Sequence, residues 1–322
     1  MRPIRLLLVR ALYSAFVLAA VSVLLFAALG AAPGDFLTDL RLNPQISPVT
    51  LERLRERYAL DDPVPVQYAR WAASVFRGEF GYSLLYNRPV APLLRERAAN
   101  TLLLTVISTV VAWVLAVPIG ALTARRRGTW VDRLVAVVVT VLIALPDLLI
   151  ALVLLLIAIQ VGGLPTGGMV SPGHEAMPVA ARAFDLLSHL AMPVVALALL
   201  LSPVVIRHVR ATLIEALDAP FIQAARAKGA DDRRLVYRHA LRASATPIAA
   251  LLGVSIASLL SASLAVEAVM SWPGIGPLLL EAIHARDVHL VVGAALASTC
   301  FLLAGNLVAD GLVLFVDPRT RA

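Results

Sequence analysis

The sequence predicts an all-α integral membrane protein with six transmembrane helices, and composition and the spacing of charge carry that prediction. Of 322 residues 60% are hydrophobic and 15% charged, with a mean hydropathy of +0.84. A soluble domain carries roughly a quarter charged residues. Charge-free stretches run from Ala11 to Gly34, Ala98 to Ala124, Leu148 to His174, Leu186 to Ile206, Ala243 to Val266 and Val288 to Ala309. Each exceeds the roughly 20 residues that cross a hydrocarbon core. They lack the alternation of a barrel strand, and a helix is then the form that satisfies every backbone amide within its own segment.

The net charge of +7 reads as topology rather than as a nucleic-acid footprint. Placing the N-terminus inside puts Arg2, Arg5 and Arg10, then Arg125, Arg126, Arg127 and Arg133, then the basic residues between Arg207 and Arg242, then Arg319 and Arg321 on one side. The two short outside loops hold only Arg182 and Arg286. Positive residues in short inside loops fix orientation, whereas a long loop such as 34–98 translocates regardless of its arginines. The first apolar run exceeds the 7 to 15 residues of a signal-peptide core, so residues 1–32 are expected to stay as the first membrane helix.

Residues 33–98 are too polar for lipid and are expected to form a small helical region outside. Ser47, Pro48, Thr50, Leu51, Leu54 and Tyr58 give a cap, a first-turn proline and an apolar stripe ending at Asp61, Asp62 and Pro63. From Val66 to Phe76 a second stripe lines up Tyr68, Trp71, Ala72 and Val75, suited to the bundle or the membrane surface. Residues 99–316 form a five-helix core with an inside loop at 208–242, and 317–322 a short inside tail.

Four features stand out in the core. Pro146 and Asp147 sit near the middle of the third span, and an intramembrane carboxylate is a functional-site candidate by default, here for the solute path together with Glu267. The outside loop from Gly162 to Asp185 is rich in Gly and Pro. Trp272, Pro273, Gly274 and Gly276 demand a tight outside turn after the fifth span. The lone Cys300 is expected as a small core residue, and His174, His189, His284 and His289 are scattered without a metal-ligand pattern, so no metal is expected.

The inside loop carries the sharpest signal. Asp218, Ala219, Pro220, Phe221, Ile222, Gln223, Ala224, Ala225, Arg226, Ala227, Lys228 and Gly229 read as an acidic start, a first-turn proline, a short run of helix formers and a terminating glycine. The Ala224 and Ala225 pair gives the helix a narrow side that suits a groove on another protein. A basic surface helix on anionic lipid is the alternative.

Gln223-Ala224-Ala225 followed after three residues by Gly229 resembles the EAA loop of ABC importer permeases, with Gln for the usual Glu. The run 224–229, Arg238-His239-Ala240-Leu241-Arg242 ahead of Pro247, Pro33-Gly34-Asp35, Pro65-Val66-Gln67-Tyr68 with Trp71, Arg77 to Ser83, Asn100-Thr101, Ser271 to Gly276 and Asp317-Pro318-Arg319 are similar to the dipeptide, oligopeptide and nickel branch, first permease of the pair. Departures are Gln223, Thr246, Asp147 and Asp287-Val288-His289, the last where Asp-Tyr-Pro is usual.

The resemblance implies the type I importer permease fold in a bacterial cytoplasmic membrane, both termini inside. It implies a second permease subunit as heterodimer partner, two cytoplasmic ATPase subunits docking on the helix at 218–229, and an outside solute-binding protein. ATP and Mg belong to those ATPases, and this chain is expected to bind no cofactor and to catalyse nothing. Its only lysine, Lys228, follows Ala227, so no P-loop can be written. The implied cargo is di- or oligopeptides; nickel, glutathione and other small solutes are the alternatives within the family. A secondary transporter is the rival outside it, and that class needs several midplane ionisable residues where this chain offers Asp147.

Overall fold

The computed structural model describes residues 2–31, 52 and 62–316. The motifs at 33–35 and 317–319, the helix expected from Ser47 to Tyr58, and the tail fall outside the described residues. Those described are almost entirely helical. Helix α1 covers Arg2–Ala31, α2 Val64–Val75, α3 Val90–Arg125, α4 Trp130–Ala144, α5 Asp147–Val161, α6 Val179–Leu217, α7 Pro220–Ala227, α8 Ala245–Val269, α9 Ile275–His284 and α10 Val288–Val316. Helices α1, α3, α6, α8 and α10 are each long and apolar enough to cross a membrane, and α4 with α5 makes a sixth candidate span bent by 103°.

That bend has a local cause. Pro146 has no N–H for the Leu142 carbonyl, and a residue before proline is driven to extended backbone. Leu145 accordingly sits at φ −82° and ψ 134°, so the third span is two helices of 15 residues. The charge-free stretch to His174 is not helical throughout. Gly162 at φ +71° and Gly163 at φ +78° end α5, and after an irregular stretch with one 3-10 turn the chain re-enters helix at Val179, so Asp185 belongs to α6.

The chain divides into two compact units. The first contains Pro3–Asn100 and Gly274–Cys300. In it α2 turns Tyr68, Trp71, Ala72 and Val75 onto α1 and α10, around buried Phe26, Val292 and Leu296. Phe26 lies 5.1 Å from Trp71 and 5.3 Å from Tyr68 between ring centroids, and the Trp71 indole N–H donates to the Phe80 carbonyl at 3.1 Å. The stripe read from the sequence thus packs on helices. Tyr82–Ser83 and Arg88–Pro89 form a short antiparallel hairpin, β1 and β2. Asp287, almost wholly buried, ties it down: its Oδ2 accepts from the Ser83 hydroxyl at 2.7 Å and the Leu85 N–H at 3.1 Å, while Oδ1 accepts from the Leu290 N–H at 3.2 Å. Beside it Gly81, at φ +91°, has no room for a Cβ against the His289 ring. In the same hairpin burial, then the hydrogen bond to Glu281, pushes the Tyr86 phenol up to about 12. Cys300, expected inside the core, is exposed.

The second unit contains Thr101–Pro273 and Phe301–Ala322. Its core is centred on α6, whose Leu197, Val205, Val209 and Leu213 are fully buried. Helices α4, α5 and α8 pack against α6, which continues through Pro193 and Pro203. Gly253 lets α8 meet α10 at close range, since a Cβ there would lie 1.7 Å from that of Ala309. Val106, Val110 and Val114, four residues apart on α3, are more than half exposed, a surface suited to hydrocarbon or a neighbouring membrane helix.

Candidate functional site

At one end of the second unit, the short helix α7 is held between the end of α6 and the segment 232–243. Pro220 occupies its first turn, where a missing N–H costs nothing. Asp218, read from the sequence as the helix's acidic start, instead ends α6, and Ala219 stands at the N-cap. The C-terminus closes as a Schellman motif. The Ala230 N–H donates to the Ala225 carbonyl at 3.2 Å and the Gly229 N–H to the Arg226 carbonyl at 2.9 Å, with Gly229 at φ +84°.

One side of α7 is anchored and the other is free. Ile222 is fully buried, and Ala225 packs half-buried against the same core. Phe221, at 51% exposure, stands out with Gln223, Ala224, Arg226, Ala227 and Lys228. The alanine pair is therefore split, Ala224 outward and Ala225 inward, because adjacent helical residues lie about 100° apart. The Gln223 amide donates to the Asp218 carbonyl at 3.3 Å, a bond that a carboxylate in its place would not make.

The bed under α7 is fastened by charges that the sequence reading did not pair. Arg210 on α6 donates from Nε and Nη2 to the two oxygens of Asp132 on α4 at 2.7 and 2.8 Å, and the Gly128 N–H adds a third bond to Asp132 at 2.9 Å. Arg127 reaches Asp218 at 3.1 Å, but both side chains are exposed and the pair adds little. Arg226 and Asp232, 3.6 Å apart and exposed, contribute little. Segment 232–243 contains a π-helical turn, Leu235–Ala240, whose Leu235, Val236 and Ala240 are buried. The Ser244 hydroxyl then donates to the Thr212 carbonyl at 3.2 Å. Contacts thus run from α7 into both α6 and the start of α8.

The two residues expected along the solute path part company. Asp147 lines a cavity of about 250 Å³ among α4, α5, α6 and α8. Glu267 does not line it and is fully buried near the end of α8, where its carbonyl accepts the Trp272 N–H at 2.9 Å. The turn that follows uses Ser271 rather than a glycine for positive φ, at +51°. Trp272 is fully buried, Gly274 in extended backbone opens α9, and Gly276 lies inside that helix. At the same end, loop 162–178 folds back on α6. Asp185 accepts from the Ser171 hydroxyl at 2.6 Å and its N–H at 3.0 Å and meets His174 Nδ1 at 2.7 Å, while His189 Nδ1 lies 3.5 Å away. His174 thus bonds the Asp185 carboxylate, while the His189 Nδ1, one turn along the same helix, bonds the Asp185 backbone carbonyl at 2.9 Å. Among the described residues no three His, Cys, Asp or Glu side chains gather as metal ligands.

Comparison with known proteins gives this arrangement its family. The family described as binding-protein-dependent transport system inner membrane component matches residues 116–322, and its N-terminal companion matches residues 3–105. The chain belongs to this family. It is similar to the oligopeptide transport system permease protein AppB of Bacillus subtilis, 33% identical over 96% of this chain and 97% of that protein. It is also similar to the glutathione transport system permease protein GsiC of Escherichia coli K12, 30% identical over 94% of each. A solved structure of the MetNI methionine ABC transporter, in inward-facing form, matches the fold with a TM-score of 0.58 and 18% identity over 70% of this chain and 96% of that one. As an ABC importer permease, the chain has its anchored short helix in the segment that resembles the EAA loop, followed by the long helix α8.

Proposed function

We infer that this permease carries di- or oligopeptides across a bacterial inner membrane, with both termini, α7 and segment 232–243 on the cytoplasmic side. Its partners are a second permease subunit, two cytoplasmic ATPases that carry ATP and Mg, and an extracytoplasmic binding protein that delivers the cargo. The observation that carries the reading is α7 itself: Ile222 and the Schellman closure fix its inner side, while Phe221, Gln223, Ala224 and Lys228 are presented outward. A force applied to that outward side passes through Ile222, the π-helical turn and Ser244 into α6 and α8. Closure of the ATPases on ATP is then converted into movement of the helices that line the passage. The chain supplies the lever and the conduit, and its partners hydrolyse the nucleotide.

The test is a reconstituted importer in vesicles. ATP-dependent accumulation of peptide, together with a crosslink from a cysteine introduced at Ala224 to the ATPase subunit, is expected. A crosslink from that position to the binding protein instead would reverse the orientation, and ATP-independent uptake would refute the importer role. Glutathione is a second cargo reading, favoured by the likeness to GsiC, and competition between glutathione and a dipeptide for ATP-dependent uptake separates the two.

A further inference from the structure

Asp147 lies in the interior of the bent third span and supplies the only ionisable side chain in the lining of its cavity. The walls are otherwise mostly aliphatic, with Leu142, Leu201 and Leu251 among them, and two hydroxyls, Ser255 and Ser258, complete the polar surface. Asp147 is exposed and forms no ion pair among the described residues. An ionised carboxylate at membrane depth is costly unless a cation or water reaches it. The start of α5 suits such a group, because a negative charge in a helix's first turn complements the helix dipole.

Two of the three polar groups here offer acceptors. The Ser255 hydroxyl spends its proton on the Leu251 carbonyl at 2.8 Å, which leaves it acceptor capacity, and an ionised carboxylate has acceptor capacity alone. An acceptor set in an apolar wall is matched by a compact cation that has donors and no acceptor, and an ammonium group has three donors. On the peptide-importer reading, on which this inference rests, every free peptide carries one such group whatever its side chains. Its α-ammonium has a pKa of about 8 and is charged at neutral pH.

We propose that Asp147 and its cavity form a specificity-determining subsite for the α-ammonium group of peptides in transit. A peptide released into the passage anchors its amino end on Asp147 and leaves its side chains unread, which reconciles a preference for free peptides with tolerance of sequence.

The experiment uses the assembled importer in vesicles, driven by saturating binding protein already loaded with cargo, so that capture outside the membrane drops out of the rate. Cargo is a tripeptide with neutral side chains, supplied with a free amine or N-acetylated, and the readout is the ratio of the two transport rates. In the wild type the ratio is expected at about 10 or more, a modest demand on one charge-assisted hydrogen bond. Asp147→Asn is expected to bring the ratio to about 1 by lowering the free-amine rate, and Asp147→Glu to keep most of the preference. A ratio near 1 in the wild type, or one unchanged in Asp147→Asn, would overturn the subsite and leave the importer reading standing. Transport of neither peptide by the wild type would overturn both.

Discussion

Arg210 grips Asp132 through two parallel hydrogen bonds of 2.7 and 2.8 Å across 78 positions of sequence, joining the start of α4 to the last third of α6. Asp132 is 6% exposed at its side chain and Arg210 33%. Removing the guanidinium strands a buried carboxylate. Arg210→Ala is expected to cost roughly 3 kcal/mol, the low end for breaking a buried pair because Arg210 is partly solvated. Asp132→Asn in the same chain should restore part of it, and thermal unfolding of the purified complex gives the coupling as a double-mutant cycle.

Ile222 and Phe221 are neighbours in sequence with opposite roles. Ile222→Ala opens a cavity under α7 and should destabilise the chain by about 2 to 5 kcal/mol. Phe221→Ala should leave stability within about 0.5 kcal/mol, as an exposed substitution does, yet reduce the ATPase recovered with the permease on affinity purification. Equal ATPase recovery in Phe221→Ala and the wild type would remove Phe221 from the docking surface.

Gly229 stands at φ +84° with open space where a Cβ would go, so its constraint is backbone conformation alone. Gly229→Ala is expected to cost about 1 to 2 kcal/mol at the end of α7, and Gly229→Asn less, since Asn accepts the left-handed region. ATP-coupled uptake should rank wild type, Asn, Ala in that order, with membrane insertion unchanged.

Gly253 has no room to grow. Gly253→Ala must push α8 and α10 apart, costing roughly 1 to 3 kcal/mol or more, and Ala309→Gly should restore part of that. Melting temperatures of the single and double variants would check the pairing.

Tyr86 gives an alkaline prediction. Its folded pKa, raised to about 12 from an ordinary value of 10, favours the neutral phenol, chiefly through burial. The stability this adds is therefore fully present below about pH 10 and is lost as pH rises toward 12. Tyr86→Phe should flatten that part of the stability profile, and the wild type should show one phenolate absorbance step that the variant lacks.

The sequence made the fold class plain because lipid imposes a strong and local rule: charge-free runs of spanning length are readable one residue at a time, though the third, Leu148 to His174, is helical only to Val161 and its bent candidate span starts at Trp130. Pro220 and Gly229 bracketed α7 nearly to the residue, since both act through their own backbone. What escaped were relations between distant positions. Nothing near Asp132 announces Arg210, and nothing near Asp185 announces that loop 162–178 folds back to set Ser171 and His174 on its carboxylate. The inward turn of Ala225 depends on which side of a short helix finds a core. Pro146 signalled a break but not its 103° angle, nor that α5 packs against α6 and α8.

That angle has a consequence for how the subunit can exist. At Leu145 and Pro146 the chain leaves helix inside a candidate membrane span, and hydrocarbon offers no hydrogen bonds to backbone groups, so moisture or a companion protein, rather than acyl chains, is expected to fill the elbow. If the proposed second permease subunit covers that elbow, a copy made alone would leave the wound open to the bilayer, and quality-control proteases would be expected to clear the orphan.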